Sequence, residues 1–292
     1  MMRRAAKSGV SGPLCGVEHV GESCSLPVAV SSPDARQNRM MDAHAEFAGR
    51  IALVTGAGRG IGRAIAEGLA ARGAHVAIVA RSGDDLDRVV AGIVAAGGRA
   101  TAFARDLLDD AERDSLIDDV EAECGRVDVL INNAAIVDPL GRSVDVPMDA
   151  FERALRLNVV APAALSFRVL PGMVAAGWGR IVNVSSGVAV RNEAMIGANA
   201  YTTTKAALEA HTRNLAAEYA DSGVTINVYR PGVVDTGMQE WLRSRPEDEV
   251  ATGLPANFRR LHEEGALITP ERSAAGLLAR LSLSETGQDW SV

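Results

Sequence analysis

The chain has 292 residues, 47% of them hydrophobic and 23% charged, with a formal net charge of -7 and a pI near 5.3. This composition is typical of a soluble globular protein, and the acidic balance argues against nucleic-acid binding. No apolar run approaches the roughly 18 to 20 residues that span a bilayer, so no membrane span is predicted. The three cysteines, Cys15, Cys24 and Cys124, form no disulfide framework, which favours the cytoplasm.

The N-terminal segment is rich in Gly, Ser and Pro and shows neither helical nor strand periodicity. We therefore predict a disordered extension over residues 1–46 and a single folded domain over residues 47–292. Cys15, His19 and Cys24 fit no zinc-binding spacing, so no metal site is predicted.

From Gly49 onward, short β-branched runs alternate with alanine-rich amphipathic stretches. This alternation predicts an α/β fold with one doubly wound parallel sheet, a Rossmann fold, with helices on both faces. The predicted strands are 51–55, 75–80, 100–105, 127–132, 180–185 and 225–229. The predicted helices are 60–72, 84–96, 109–124, 149–176, 200–221 and a last one in "PERSAAGLLARLSL" from residue 270.

A glycine-rich loop, "TGAGRGIG", follows the first predicted strand and precedes a helix. Gly56, Gly60 and Gly62 allow a tight turn and a close approach of the backbone to a ligand. The helix N-terminus then offers its amides to a pyrophosphate. Ile61 stands where the third glycine of a G-x-G-x-x-G pattern would fall, so the spacing is G-x-x-x-G-x-G.

Arginines near this loop favour NADP(H) as the cofactor. Arg81 follows the second predicted strand, where an acid would hold the ribose hydroxyl of NAD(H), and Arg59 lies in the glycine loop. Both can attract a 2'-phosphate. In the alternative interpretation Arg81 is solvated and Asp84 or Asp85 reaches the ribose, which would allow NAD(H).

Residues 237–269 mix charge, Pro and Gly without a clear period, and we predict a packed lid rather than a loose tail. The apolar residues Trp241, Leu242, Phe258 and Leu261 favour this interpretation. Together with residues 187–200, the lid should shape a substrate pocket. We interpret the arginines of these segments as solvated rather than as ligand clamps: Arg191, Arg243 and Arg245.

With "TGAGRGIG", "NNAA" (132–135), "NVSS" (183–186), "YTTTK" (201–205) and "RPGVVDTGM" (230–238) in this order, the chain resembles the short-chain dehydrogenase/reductase family over residues 49–292. Its C-terminal part is similar, more weakly, to sepiapterin-reductase and benzil-reductase-like members. The resemblance implies a catalytic tetrad of Asn158, Ser186, Tyr201 and Lys205. It also implies further cofactor contacts at Asp106, Leu107, Asn133, Ala134, Pro231, Gly232, Val234 and Thr236.

Carbonyl reduction needs a proton donor aligned with the substrate oxygen. Tyr201 has an ordinary pKa of about 10, and lowering it to about 7 requires roughly 4 kcal/mol. An exposed pair four residues apart on a helix supplies only about 0.2 to 0.5 kcal/mol. The pair with Lys205 therefore works only if it is shielded and lies near the positive ring of the oxidised cofactor. Ser186 can hydrogen-bond the substrate oxygen, and the resemblance implies that Asn158 orders a water beside Lys205.

Two features depart from the family's pattern. The interval from Ser186 to Tyr201 is about two residues longer than the resemblance leads us to expect, and the chain ends without a glycine pair in its last strand. The second departure favours a homodimer, with a tetramer as the alternative.

We predict an NADP(H)-dependent oxidoreductase that interconverts a small carbonyl compound and an alcohol, working as a carbonyl reductase. The alternatives are a dinucleotide-binding regulatory protein with little turnover and an NAD-dependent alcohol dehydrogenase of the same family. A sugar epimerase or dehydratase ranks last, because it needs a longer chain and another glycine spacing.

Overall fold

The computed structural model describes residues 46–250 and 253–292. The predicted N-terminal extension, with Cys15 and Cys24, therefore lies outside the described residues up to position 45. The described chain begins in contact with the domain, because the amide of Phe47 donates to the carbonyl of Arg72 at 2.8 Å and the Phe47 ring is buried.

A sheet of seven parallel strands forms the centre of the domain, in the order β3-β2-β1-β4-β5-β6-β7. Strands β4 and β5 are buried along their whole length, as expected where helices cover both faces of a parallel sheet. The order reverses between β1 and β4, which opens a crevice at the carboxyl ends of these two strands. The strands are β1 (Ile51–Thr55), β2 (His75–Ala80), β3 (Arg99–Ala104), β4 (Val127–Asn132), β5 (Gly179–Val184), β6 (Val224–Arg230) and β7 (Asp289–Ser291).

Helices pack on the two faces of this sheet and bury the apolar residues that gave the sequence its helical period. One layer holds α1, α2 and α10, and the other holds α3, α5 and α6. The helices are α1 (Gly60–Ala70), α2 (Gly83–Ala95), α3 (Asp110–Cys124), α4 (Met148–Leu155), α5 (Ala161–Ala175), α6 (Asn199–Glu218), α7 (Gly237–Arg243), α8 (Glu247–Val250), α9 (Leu254–Glu263) and α10 (Pro270–Leu278).

The predicted helix over 149–176 is one continuous element with a change of geometry inside it. A π-helical turn, Arg156–Val160, joins α4 to α5. By length and mean hydropathy this element, Met148–Ala175, could cross a membrane. Here Leu165, Val169 and Met173 are buried in the core beneath the sheet, which is the position of an apolar core helix.

Three parts of the chain differ from the predicted elements. The seventh strand, β7, was not predicted, because three residues are too few for a periodic signal; it pairs with β6 and buries Trp290. Residues 237–269 contain three short helices, α7, α8 and α9, where no period was visible. The last helix, α10, ends at Leu278, earlier than the apolar pattern indicated.

Candidate active site

The glycine loop after β1 turns sharply and leaves the start of α1 open. Gly56 and Gly60 have positive φ angles of 66° and 56°, which other residues rarely adopt. Helix α1 begins with no side-chain cap on its first amides and no acidic residue in its first turn. Those unpaired amides and the positive end of the helix dipole suit an anionic ligand such as a pyrophosphate.

Gly62 packs closely against the glycine loop. A Cβ on Gly62 would lie 2.3 Å from the Gly56 carbonyl oxygen and 2.5 Å from Asn133 Nδ2. The missing side chain therefore allows α1 to pack against its own loop. Asn133 holds the same loop, because its Nδ2 donates to the carbonyl oxygens of Thr55 at 2.9 Å and Gly56 at 3.2 Å.

A cavity of about 390 Å³ runs from the glycine loop across the carboxyl ends of the strands to Tyr201; we call it the glycine-loop cavity. Most of the predicted cofactor contacts line it: Gly56, Arg59, Gly60, Ile61, Arg81, Asp106, Leu107, Asn133, Ala134, Tyr201, Lys205, Pro231 and Thr236. Among the described residues, the predicted contacts that do not line it are Gly62, Gly232 and Val234.

The glycine-loop cavity has several charged side chains in its wall. Arg59, Arg81 and Arg105 line it together with Asp85 and Asp106. Sequence reasoning overlooked Arg105, although its place directly after β3, at the carboxyl edge of the sheet, was an available signal. Its guanidinium also donates to Asp119 at 3.1 Å. Of the two acids considered for the ribose, Asp85 lines the cavity, and it is paired with Arg88.

Tyr201 and Lys205 lie in the first two turns of α6 and are buried, with exposures of 8% and 3%. Lys205 Nζ lies 5.7 Å from the centroid of the Tyr201 ring and donates to the Val184 carbonyl oxygen at 2.8 Å. Burial raises the pKa of Tyr201, and a hydrogen bond with Ser186 opposes this rise. Burial lowers the pKa of Lys205 to about 8, while the negative charge of Glu209 opposes this shift.

Asn158 sits in the π-helical turn and is fully buried. Its Oδ1 accepts from the amide of Ile136 at 2.9 Å, and its Nδ2 donates to the Ile136 carbonyl at 2.8 Å and to Thr204 Oγ1 at 3.0 Å. Both amide hydrogens are thus used. Asn158 ties the loop after β4 to α6, and Thr204 passes the link to the Tyr201 carbonyl at 2.8 Å.

A buried carboxylate, Glu209, lies one helical turn after Lys205 and was missed at the sequence level. Its oxygens accept from Ser185 Oγ at 2.8 Å and from the Arg230 guanidinium at 2.7 and 2.6 Å. Arg213 adds a bond at 2.6 Å and, like Arg230, also pairs with Asp289 of β7. The network joins α6, β6 and β7 one helical turn after Lys205.

A second cavity of about 550 Å³ lies on the other side of Tyr201, and we call it the apolar cavity. Ser186, Gly232 and Val234 line it, so these three predicted site residues face this side. Tyr201 and Ser185 belong to the walls of both cavities. Much of the wall consists of apolar side chains from the loop after β5 and from α7 and α9: Val188, Val190, Met195, Met238, Leu242, Phe258 and Leu261.

Comparisons with known proteins agree with this arrangement. The sequence profile of the family described as short chain dehydrogenase matches residues 50–247. The 3-oxoacyl-acyl-carrier-protein reductase FabG of Salmonella typhimurium is 36% identical over 212 residues, which cover 72% of this chain and 84% of that protein.

Two solved structures extend the likeness to the fold. A putative NAD(P)-dependent gluconate 5-dehydrogenase from Beutenbergia cavernae, with bound NADP at low occupancy, is 36% identical with a TM-score of 0.73, covering 84% of this chain and 95% of that one. The L-sorbose reductase of Gluconobacter frateurii, in complex with NADPH and L-sorbose, is 27% identical with a TM-score of 0.75, covering 84% and 95%.

Proposed function

The chain belongs to the short-chain dehydrogenase family, and from that premise we propose that it is an NADP(H)-dependent carbonyl reductase with Tyr201 as the proton donor. The observation that carries the proposal is the position of Tyr201 in the wall between the two cavities. A phenol at this place can reach a substrate oxygen on one side while a nicotinamide lies on the other.

The side chains around Tyr201 divide the work of proton transfer. The cofactor, when bound, supplies the hydride. The Tyr201 hydroxyl gives its proton to the substrate oxygen, and the Ser186 hydroxyl hydrogen-bonds the same oxygen as its negative charge develops. Lys205 keeps a positive charge beside the phenol, anchored on the carbonyl of Val184. Asn158 acts as a positioning residue that holds α6 and the loop after β4 in register.

The choice of NADP(H) rests on the charged side chains in the wall of the glycine-loop cavity. Three arginines, Arg59, Arg81 and Arg105, line this cavity, and a 2'-phosphate carries roughly -1.5 to -2 charges by analogy with other phosphomonoesters. Of the two acids there, Asp85 is already paired with Arg88, and Asp106 accepts from the amide of Leu108 at 3.0 Å. The bound NADP and NADPH of the two similar structures support the same choice.

The test measures NADPH oxidation with a panel of small ketones and dicarbonyls. We expect turnover by the wild-type chain and a loss of about 10³-fold or more in kcat for Tyr201→Phe, with the Kd for NADPH within twofold of wild type. Tyr219→Phe, which removes a partly buried phenol hydroxyl outside both cavities, is the matched control. Full activity of Tyr201→Phe would refute the mechanism. Tight NADPH binding without any turnover would instead favour the regulatory alternative.

We further propose that residues 237–269 cover the substrate as a lid. Leu242 of α7 and Phe258 of α9 are buried in one apolar cluster with Tyr201. Any substrate in the apolar cavity therefore touches α7 and α9. Closure over a bound substrate would exclude water from the proton-transfer step.

The predicted homodimer gains support from an apolar stripe on the outer face of the long helix. Val160, Phe167 and Val174 recur every seven residues and are 46%, 56% and 37% exposed. The Phe167 ring also packs edge-on against His211 of α6, at 5.6 Å between centroids. A second copy of the chain would cover this stripe. Light scattering on wild type and Phe167→Asp tests the proposal, and an unchanged dimer in the variant would contradict this interface.

A further inference from the structure

The charged side chains on the wall of the apolar cavity have one sign. Two arginines, Arg191 and Arg230, line it, whereas within residues 46–247 and 253–292 no Asp or Glu side chain does so. The other described side chains of the wall are apolar, or polar and neutral. A charged group of the substrate would therefore be negative.

The two arginines differ in what they already bind. Arg230 is neutralised by Glu209, which accepts from its guanidinium at 2.7 and 2.6 Å, and by Asp289 at 2.9 Å. The Arg191 guanidinium makes no hydrogen bond or ion pair to another described side chain. Arg191 is also exposed, so an anion bound there keeps part of its hydration, and the cost of burying a charge stays low.

The Arg191 guanidinium lies beside the proposed chemistry. A Cβ added to Gly187 would meet Arg191 Nη2 at 3.1 Å and its Cζ at 4.0 Å, so the guanidinium lies over the Gly187 backbone. Gly187 directly follows Ser186, and consecutive Cα atoms are about 3.8 Å apart. A carbonyl oxygen held by Ser186 and Tyr201 therefore places the next few atoms of the substrate within reach of Arg191.

The apolar part of the cavity wall suits a hydrocarbon. Leu242 and Phe258 are buried, and Leu261, Val188 and Met195 continue the apolar surface toward Tyr201. A substrate that satisfies both walls has an apolar body, a carbonyl, and one anionic group a few bonds from the carbonyl carbon. A carboxylate matches the planar fork of one guanidinium and balances its single charge.

From these walls we propose that the substrate is an oxo acid, or the matching hydroxy acid, with an apolar remainder, and that Arg191 binds its carboxylate. This inference rests on the proposed function and assigns its substrate class. It also replaces the sequence-based interpretation of Arg191 as a solvated residue. Arg243, by contrast, is paired with Asp235 at 3.2 Å and does not line the cavity.

The kinetic test compares 2-oxo-4-phenylbutanoate with its neutral ethyl ester. We expect wild type to prefer the acid in kcat/KM, and Arg191→Gln to reduce the acid-to-ester ratio by about tenfold or more, mainly through KM. Arg191→Lys should keep part of the preference, because it keeps the charge but loses the fork. Arg142→Gln is the matched control, since Arg142 is exposed, has no ion pair to a described residue and lines neither cavity.

A binding measurement separates this inference from the proposed function. Calorimetry with 4-phenylbutanoate and 4-phenylbutanamide, on the protein mixed with NADP⁺, requires no turnover. We expect the acid to bind at least about tenfold more tightly than the amide, and Arg191→Gln to remove this difference. Equal binding of acid and amide, or an unchanged acid-to-ester ratio in Arg191→Gln, would overturn the inference. Turnover of the ester alone would leave the reductase intact while overturning the assignment of Arg191.

Discussion

The two cavities that meet at Tyr201 are built in opposite ways. The glycine-loop cavity is made largely by the ends of β1 to β5 and the turns that follow them, with further contacts from α6 and the turn after β6. Backbone geometry shapes most of it, and hydrogen bonds between Thr55 and Asn133 hold it together. The apolar cavity is made by the loop after β5 and by α7 and α9, so side-chain packing shapes it. A cavity of the first kind follows from strand order, whereas one of the second kind depends on which side chains happen to meet.

The largest effect is expected from a substitution that disturbs the glycine-loop cavity and leaves the apolar cavity intact. In Gly62→Ala the new methyl group would lie 2.3 Å from the Gly56 carbonyl oxygen, and the loop would have to move. We expect NADPH affinity to fall by about 100-fold or more and the free energy of unfolding to fall by about 3 kcal/mol. Titration of NADPH fluorescence and urea denaturation measure the two effects.

The matched control for this variant is Gly92→Ala. Gly92 lies in α2, is exposed and has nothing within 4 Å of an added Cβ. An alanine there should stabilise the protein by about 0.5 to 1 kcal/mol and leave NADPH binding as it is. Similar losses in both variants would show that any added methyl group in this layer is harmful, and that the glycine loop has no special sensitivity.

The second prediction concerns Lys205, which lines the glycine-loop cavity beside Tyr201. The pKa of Lys205 is lowered from 10.5 to about 8 by burial, so between these pH values the unfolded chain binds more protons than the folded protein. The free energy of unfolding should therefore rise with pH across this window, by about 3 kcal/mol in total. In Lys205→Met this rise should be absent, and the difference between the two proteins should be constant below pH 8.

Urea denaturation at several pH values from 7 to 10 measures this slope for both proteins. The test compares how the free energy of unfolding changes with pH in the two proteins. Their absolute stabilities are not compared, because Lys205→Met also loses the hydrogen bond to the Val184 carbonyl. Parallel curves for wild type and variant would mean that Lys205 does not titrate in this window.

A third variant damages the packed side alone. Phe258→Leu keeps the apolar character of α9 but removes part of a ring that is 5% exposed and lies in the cluster with Tyr201. We expect the free energy of substrate binding to weaken by about 1 to 2 kcal/mol, which corresponds to a roughly tenfold rise in KM for the carbonyl substrate. NADPH affinity should stay within twofold of wild type, and a parallel loss of NADPH affinity would show that the two cavities are mechanically coupled.

The smallest expected effect concerns the arginines in the wall of the glycine-loop cavity. Arg81→Ala removes one of three arginines there, and Arg59 and Arg105 remain. We expect the preference for NADPH over NADH, measured as a ratio of Kd values, to fall about fivefold to tenfold. Arg63→Ala, whose guanidinium pairs with Glu67 outside this cavity, is the control. An unchanged ratio in Arg81→Ala would favour the alternative in which Asp85 reads the ribose.

The same contrast explains which features could be predicted from sequence. Buried strands and amphipathic helices leave local periodic signals, and in a parallel sheet the strand ends share one edge, so Gly56, Arg81 and Asn133 could be assigned to one site. Lys205 is also conspicuous in the sequence, because Lys7 and Lys205 are the two lysines in a chain whose other basic residues are arginines and histidines.

The remaining features depend on contacts between distant parts of the chain. The bond between Glu209 and Arg230 spans 21 residues, and no local pattern indicates it. The sequence predicted a solvated Arg191 because arginines are mostly exposed, and the role that we propose for it depends on the position of its guanidinium over the Gly187 backbone. Arg105 follows the end of β3, at the sheet edge where the carboxyl ends of all parallel strands meet. Its place at this site could therefore have been predicted from the sequence.

The direction of the Asn158 side chain depends on the number of residues in the π-helical turn at Arg156–Val160. An α-helix advances about 100° per residue, and a π turn accommodates one more residue in the same span. Deleting Leu157 would restore ordinary α geometry and rotate Asn158 about 100° relative to α4. The amide would then leave Ile136 and Thr204 with every side-chain type of the site still present. In this helix a change of length is therefore a more severe lesion than most changes of residue type.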